Sequence, residues 1–391
     1  MARLFLVCFL ALAACAPQSV NNSSRNPPTL AAPTQFHEAQ QPITLNNIAN
    51  VQYLGRLDQP DTPSTIFSYT ISPDATRLVG LNNEQMLAWN LLDGSLLFRT
   101  SRSDTTRAFY SPDKTEIYAV APNGQTVVHD ANTGAVKTSF EGNPNYANSA
   151  AYFPDMGWLA LGGTDGSVKV WDTYERQSLV TIEAHTGGVT ALAFSPDGDE
   201  LATAGRDGLV RLWRWRDPTL RDVYALEESP PNVLRLAFSP DATQLGIGTD
   251  RDARLWYLLD TSQREILQTG AGGASQILTY SPDGRFLLAG NQSAGLSLWN
   301  PVTHALVAAL PDTQGDRLAA AFSPDGNLLL TAVLNGKVSL WNLVQVTGDT
   351  LNQAALQVGT ERILDVAWTD DSRLLMFFDA GGPVYLWGIG A

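Results

Sequence analysis

The tripeptide Ser-Pro-Asp recurs at Ser72, Ser111, Ser195, Ser239, Ser281 and Ser323, and degraded copies at Phe153-Pro154-Asp155 and Thr369-Asp370-Asp371 fill the gaps, so one landmark returns every 39 to 46 residues. A period of this length belongs to a supersecondary unit that cannot bury its own apolar face and must stack on its neighbours. Sixteen or seventeen residues beyond the landmarks stand Trp89, His129, Trp171, Trp213, Trp256, Trp299, Trp341 and Trp387, which gives eight units. With 44% hydrophobic and 16% charged residues, the chain can build a sizeable core and is not of the disordered class.

Inside the units, apolar residues alternate as in Val189-Thr190-Ala191-Leu192-Ala193-Phe194 and Val210-Arg211-Leu212-Trp213. That is the strand period, not the helical one, so the fold class is all-β. Proline after serine presets φ for a type I turn, and Gly198, Gly284 and Gly326 complete a reversal between the first two strands. A second reversal precedes each tryptophan by about six residues, at Asn123-Gly124, Asp165-Gly166, Asp207-Gly208, Asn335-Gly336 and Gly381-Gly382, pairs that tolerate the positive φ of type I′ hairpins. Units one, five and six lack this glycine, which predicts longer or bulged loops there.

On these residues, with Leu212-Trp213 and the dipeptide Trp171-Asp172, the chain from residue 50 to the C-terminus resembles the WD-repeat β-propellers. The resemblance implies four-stranded antiparallel blades in a ring. Eight blades are counted, with seven as the alternative should one degraded unit lie outside it. The eighth unit stops four residues after its tryptophan, too early for an outer strand, whereas Val51-Gln52-Tyr53-Leu54-Gly55-Arg56-Leu57 reads as a strand without a sheet. It is expected to complete the last blade and close the ring, which protects both open edges. The family's hydrogen-bonded tetrad maps in full onto the fourth unit alone, as His185, Thr203, Asp207 and Trp213. Its role is read as structural, because a buried indole N–H needs an acceptor.

The first fourteen residues carry one charge, Arg3, before an apolar run over residues 4–14. At 1.5 Å per residue the run covers about 17 Å, well short of the roughly 30 Å of a bilayer core, so it reads as a secretory signal. It ends in Leu12-Ala13-Ala14-Cys15, which resembles the lipobox of bacterial lipoproteins and implies a lipid on Cys15. Residues 15–49, rich in Pro, Asn, Ser and Gln, read as a flexible tether, and residues 50–391 as the propeller. The expected address is the cell envelope, on a periplasmic or extracytoplasmic membrane face.

Chemistry is sparse. The two cysteines, Cys8 and Cys15, leave the remaining chain without a disulfide or thiolate metal site. No phosphate-loop motif occurs, and the glycine cluster at residues 270–273 reads as a loop between blades. His37, His129, His185 and His304 show no metal-ligand spacing. No catalytic residue, metal or cofactor is assigned. The formal charge of −14 disfavours nucleic acid, since phosphate binding needs a basic surface.

These features predict a non-catalytic, monomeric scaffold that binds a protein partner. The alternatives are a permanent subunit of an envelope assembly complex and an envelope enzyme that uses the central channel. Strand order puts the second hairpins and the loops between blades on one face and the Ser-Pro-Asp turns on the other. Variation concentrates on the first face, at residues 102–107, 143–148, 227–232 and 312–317. The family places partner contacts just before the turn aspartate, which maps to Asn82, Thr164, Arg206, Thr249 and Gln292. A basic cluster of Arg211, Arg214, Arg216 and Arg221 beside Trp213 and Trp215 adds Arg214 and Arg216 as candidates for an acidic partner or an anionic lipid.

Overall fold

In the computed structural model, each Ser-Pro-Asp landmark closes its turn through its own side chains. Ser72 Oγ donates to Asp74 Oδ1 at 2.6 Å and accepts the Arg77 N–H at 3.0 Å. Ser111, Ser195, Ser239, Ser281 and Ser323 make the same pair of bonds, as does Thr369 in the degraded eighth copy. The next position is left-handed whether it holds Gly198, Gly284 and Gly326 or Ala75, Lys114, Ala242 and Ser372. The side-chain lock tolerates a non-glycine residue where the backbone alone would favour glycine. The motif is thus turn chemistry throughout.

The structure describes residues 36–59, 63–101, 104–226, 231–267, 277–291, 295–310, 313, 318–334, 336–347, 350–357 and 362–390. These form eight four-stranded antiparallel sheets, arranged as an eight-bladed β-propeller. Blade 4 is representative: strands Val189–Phe194, Leu201–Gly205, Leu209–Arg214 and Thr219–Ala225 run from the ring axis outward in chain order. Blade 8 differs. Its inner strands are Ile363–Trp368, Leu374–Asp379 and Val384–Gly388, and its outer strand is Gln52–Leu57 from the start of the chain. Tyr53 pairs with Trp387 and Leu57 with Val384, with a register shift between Tyr53 and Gly55. The expected closure and the count of eight are both present.

Each apolar cluster joins two neighbouring blades. Tyr118, Val128 and Phe140 of blade 2 pack on Leu159, Leu161 and Trp171 of blade 3, and Leu288, Leu298 and Leu310 of blade 6 on Leu329 and Trp341 of blade 7. The seam between blades 8 and 1 buries Leu54, Leu57, Met376 and Phe378 with Leu78, Leu87 and Trp89. Full burial of one such side chain stabilises by about 1.5–3 kcal/mol. The core is therefore a ring of seams, and no blade holds it alone.

Two expectations change. Residues 36–50 lie as a strap on the closing blade, although composition reads residues 15–49 as a tether. The His37 N–H donates to the Leu54 carbonyl, Gln41 bridges Ile389, and the Ile43 N–H donates to the Ser372 carbonyl. Ala39 and Ile43 are buried, one in each seam that flanks blade 8. Composition misses the strap because few apolar residues anchor it and they follow no period. Nor are the second hairpins of units one and five longer than the others. Asn82 Oδ1 accepts the N–H groups of Glu84 and Gln85, and Thr249 Oγ1 those of Arg251 and Asp252, so a side chain closes the reversal that glycine closes elsewhere. Part of the unit-six hairpin and the glycine cluster at 270–273 lie outside the described residues.

Candidate functional site

The polar group of blade 4 is assembled from four elements of the unit. His185 lies in the loop before the blade, Thr203 in the second strand, Asp207 in the hairpin and Trp213 in the third strand. The indole Nε1–H of Trp213 donates to Thr203 Oγ1 at 3.0 Å, and that oxygen stands 2.8 Å from His185 Nε2. His185 Nδ1 lies 2.9 Å from Asp207 Oδ1, while the Arg211 guanidinium donates to Asp207 Oδ2 at 2.8 Å. Gly205 makes the assembly possible, since a Cβ there would sit 2.4 Å from the imidazole ring.

Burial pushes the His185 pKa below the ordinary histidine value, against the upward pull of Asp207 and with the help of the Arg211 charge. Burial opposes ionisation of Asp207, but the bonds from Arg211 and His185 outweigh it and hold the carboxyl low. The arrangement is therefore a neutral imidazole beside an ion pair. Because the His185 side chain is wholly shielded from solvent, no substrate reaches it, and the group ties loop, strand and hairpin together.

Replacing Thr203 with the isosteric valine leaves an indole N–H and an imidazole nitrogen buried without partners. At about 1–3 kcal/mol for each orphaned group, Thr203→Val is expected to cost about 2–4 kcal/mol in urea unfolding, and a loss below 0.5 kcal/mol would remove the tetrad from the stability account. Burial also lowers the pKa of His129. As pH falls below about 6.5, the unfolded chain takes up protons on these histidines before the folded chain does. The expected result is a lower Tm at pH 5 than at pH 7.5; a rise on acidification would contradict the assignment.

The polar chain is not repeated around the ring. In blade 7 the Trp341 Nε1–H donates to Thr331 Oγ1 at 2.9 Å, but no histidine continues it. The indole N–H groups of Trp171, Trp299 and Trp387 have no hydrogen-bond partner among the described residues. In blade 2, His129 takes the tryptophan position, with Nδ1 2.9 Å from the Gly134 carbonyl. Among the described residues, no group of His, Cys, Asp or Glu side chains has the geometry of a metal site, and no helix is long and apolar enough to cross a membrane.

The expected partner contacts separate into three sets. Thr164 and Arg206 are exposed on the hairpin face. Asn82 and Thr249 are only 2% and 0% exposed; both are spent on closing their own turns, which corrects their assignment as contacts. Gln292 and Cys15 lie outside the described residues. Arg214, the last residue of the third strand, and Arg216, just beyond it, are exposed on the turn side of the ring, and so share no patch with Arg206. The basic cluster is also largely neutralised: Arg211 is paired with Asp207, Arg216 with Asp199 at 2.5 Å, and Arg221 with Glu200 at 2.6 Å. Arg216 further lies over the rings of Trp158 and Trp215, at 4.4 and 5.1 Å from their centroids, where it caps the seam between blades 3 and 4.

Sequence reasoning overlooked a row of exposed apolar side chains on the other side of the ring. Leu92, Tyr174, Leu259, Val302 and Val344 occupy one position of the repeat, two residues beyond the end of the tryptophan strand motif, and all are exposed. The signal was present as an apolar residue three positions after the tryptophan in five of the eight units.

Comparison with known proteins agrees with this architecture. The WD domain, G-beta repeat family matches residues 134–172, 176–214 and 310–342. WD40 repeats thus occur in three places, and each match ends one residue after Trp171, Trp213 or Trp341. The target of rapamycin complex subunit wat1 of Schizosaccharomyces pombe is 26% identical over 222 residues, which cover 55% of this chain and 56% of that protein. The match therefore spans about half the length of this curated relative. The crystal structure of the computationally designed Ika8 protein superposes with a TM-score of 0.68 at 21% identity, covering 85% of this chain and 99% of that one. That likeness shows the fold.

Proposed function

We propose that the chain is a non-catalytic scaffold, held by a lipid on Cys15 to a bacterial envelope membrane, which presents its hairpin face to a protein partner. The observation that carries the scaffold half is the shielding of the tetrad. The histidine, hydroxyl and carboxylate group of blade 4, which has catalytic composition, is closed to solvent and consumed by its own bonds. What the ring offers is rigid surface, and exposed Thr164 and Arg206 stand at the family's contact position. Arg206 is the better anchor, because its guanidinium pairs bidentately and keeps its charge at an interface. The anchoring half rests on the short apolar run and Leu12-Ala13-Ala14-Cys15. Two or more acyl chains hold a protein on a membrane where one would not.

A second reading, a permanent subunit of an assembly, is favoured by the fission yeast relative, which is a complex subunit. Crosslinking on intact cells separates the two, since one stoichiometric adduct supports a fixed complex and several sparse ones support a scaffold with exchanging partners. The joint test of the proposal is metabolic labelling with a palmitate analogue followed by affinity purification. The wild-type chain is expected to take label and Cys15→Ala to take none, and Arg206→Glu is expected to lose at least tenfold of the partner while melting like the parent. An unlabelled wild-type chain ends the anchoring half; undiminished capture by both Arg206→Glu and Thr164→Arg ends the assignment of the hairpin face.

A further inference from the structure

The turn face of blades 5, 6 and 7 carries an apolar arc. Leu259 is 84% exposed and Val302 75%, and Val344 and Leu306 are exposed as well. These are not residues of wandering loops. In blade 6, Asn300 ends the third strand motif and its Oδ1 accepts the N–H groups of Val302 and Thr303 at 2.9 Å. Asn342 accepts the Val344 N–H in the same way, and Asp260 caps the blade 5 turn through Ser262 and Gln263. Capped turns in blades 5 and 6 hold Leu259 and Val302 out, and in blade 7 Val344 stands on the prolonged third strand, Lys337–Thr347, so the three side chains are presented by regular structure, as an anchor site requires.

Carboxylates outnumber cations around the row. Asp241, Asp260, Glu265 and Asp325 are exposed on these blades. Of the neighbouring basic groups, Arg264 lies over the Tyr224 ring at 4.4 Å, His304 Nδ1 stands 3.7 Å from Glu265, and Arg285 is bound by Asp283 and by the Gly326 and Leu343 carbonyls. An acidic border repels phosphate headgroups, which disfavours an anionic lipid surface, and it attracts Lys and Arg.

We infer that this arc docks a cationic amphipathic segment of a partner protein, with apolar side chains of one helical face set between Leu259, Val302 and Val344 and basic ones directed to Asp260, Glu265 and Asp325. Helix-in-groove recognition of this kind reads apolar anchors at i, i+3, i+4 and i+7. The site lies on the side of the ring opposite to Arg206 and does not depend on the lipid, so the scaffold could hold two partners at once.

The test uses the full chain as Cys15→Ser, which carries no acyl group, and three 18-residue probes: an amphipathic Leu/Lys helix, a scramble of it with leucines spread around the helix, and the Leu/Glu counterpart. By isothermal titration the Leu/Lys helix is expected to bind with one-to-one stoichiometry and at least tenfold tighter than the scramble, and the Leu/Glu helix not at all. The exposed triple variant Leu259→Ser, Val302→Ser, Val344→Ser is expected to weaken it at least tenfold without changing Tm, while Arg206→Glu leaves it within twofold. Equal binding of helix and scramble, or a triple variant that binds like the parent, overturns the proposal. So does arc-dependent cosedimentation with phosphatidylcholine vesicles in the absence of helix binding, which would make the occupant a lipid surface. Failure of the titration leaves palmitate labelling and the Arg206→Glu capture experiment untouched, so the two readings fail separately.

Discussion

Deleting residues 43–57 is expected to yield an aggregating, protease-sensitive product. The deletion removes Ile43, Leu54 and Leu57, all buried in the seams on either side of blade 8. At about 1.5–3 kcal/mol for each side chain, the loss is roughly 5–9 kcal/mol against a typical total of about 5–15 kcal/mol. It also strips the outer strand from Val384–Gly388 and leaves an unpaired edge that can recruit another chain. Size-exclusion chromatography, limited proteolysis and a thermal melt report the outcome together. A monomer with the parent's Tm would refute closure by the N-terminal strand. A circular permutant that carries the same residues after the C-terminus is expected to recover the monomer, since the pairing and not the chain position matters.

The second large effect is expected at Gly166. Its φ of +89° is costly for any residue with a side chain, and a Cβ there would lie 2.0 Å from the His185 carbonyl oxygen. Backbone must move on one side or the other. Gly284 is the control, with φ of +73° but a nearest neighbour 3.8 Å from the same imagined Cβ. The left-handed conformation alone costs about 1–2 kcal/mol, so Gly284→Ala is expected to lose about that much in urea unfolding. Gly166→Ala is expected to lose more than about 3 kcal/mol, in the range reserved for combined strain and steric conflict. Equal losses would show that the approach of the blade 4 loop to the hairpin of blade 3 is soft.

Much of this architecture was legible because the physics that builds it is local. The serine and aspartate of each landmark satisfy one another within a few residues, so their spacing reports the blades even where Phe153 or Thr369 replaces the serine. The tetrad was legible for a related reason: its residues sit at fixed offsets in a unit whose hairpins are tight. What escaped was decided by surroundings rather than by offset. Asn82 and Arg206 occupy equivalent places, yet Asn82 is buried because it must close a hairpin without glycine, while Gly208 frees Arg206 to point outward. Arg216 looked like a free cation until two tryptophans from neighbouring blades were placed beneath it. The strap beginning at Phe36 showed no period, because it follows the rim of a blade that the sequence completes only hundreds of residues later.

That delay has a consequence for biogenesis. Leu57 pairs with Val384, and at about 5–20 residues per second the ribosome needs roughly 15–65 s to deliver the partner after the first strand has emerged. During this interval seven blades can assemble in order while the opening strand waits unpaired. The irregularity between Tyr53 and Gly55 and the charge of Arg56 make that strand a poor template for pairing with copies of itself. The pairing of these two strands is therefore also the step that decides between a closed ring and an open edge.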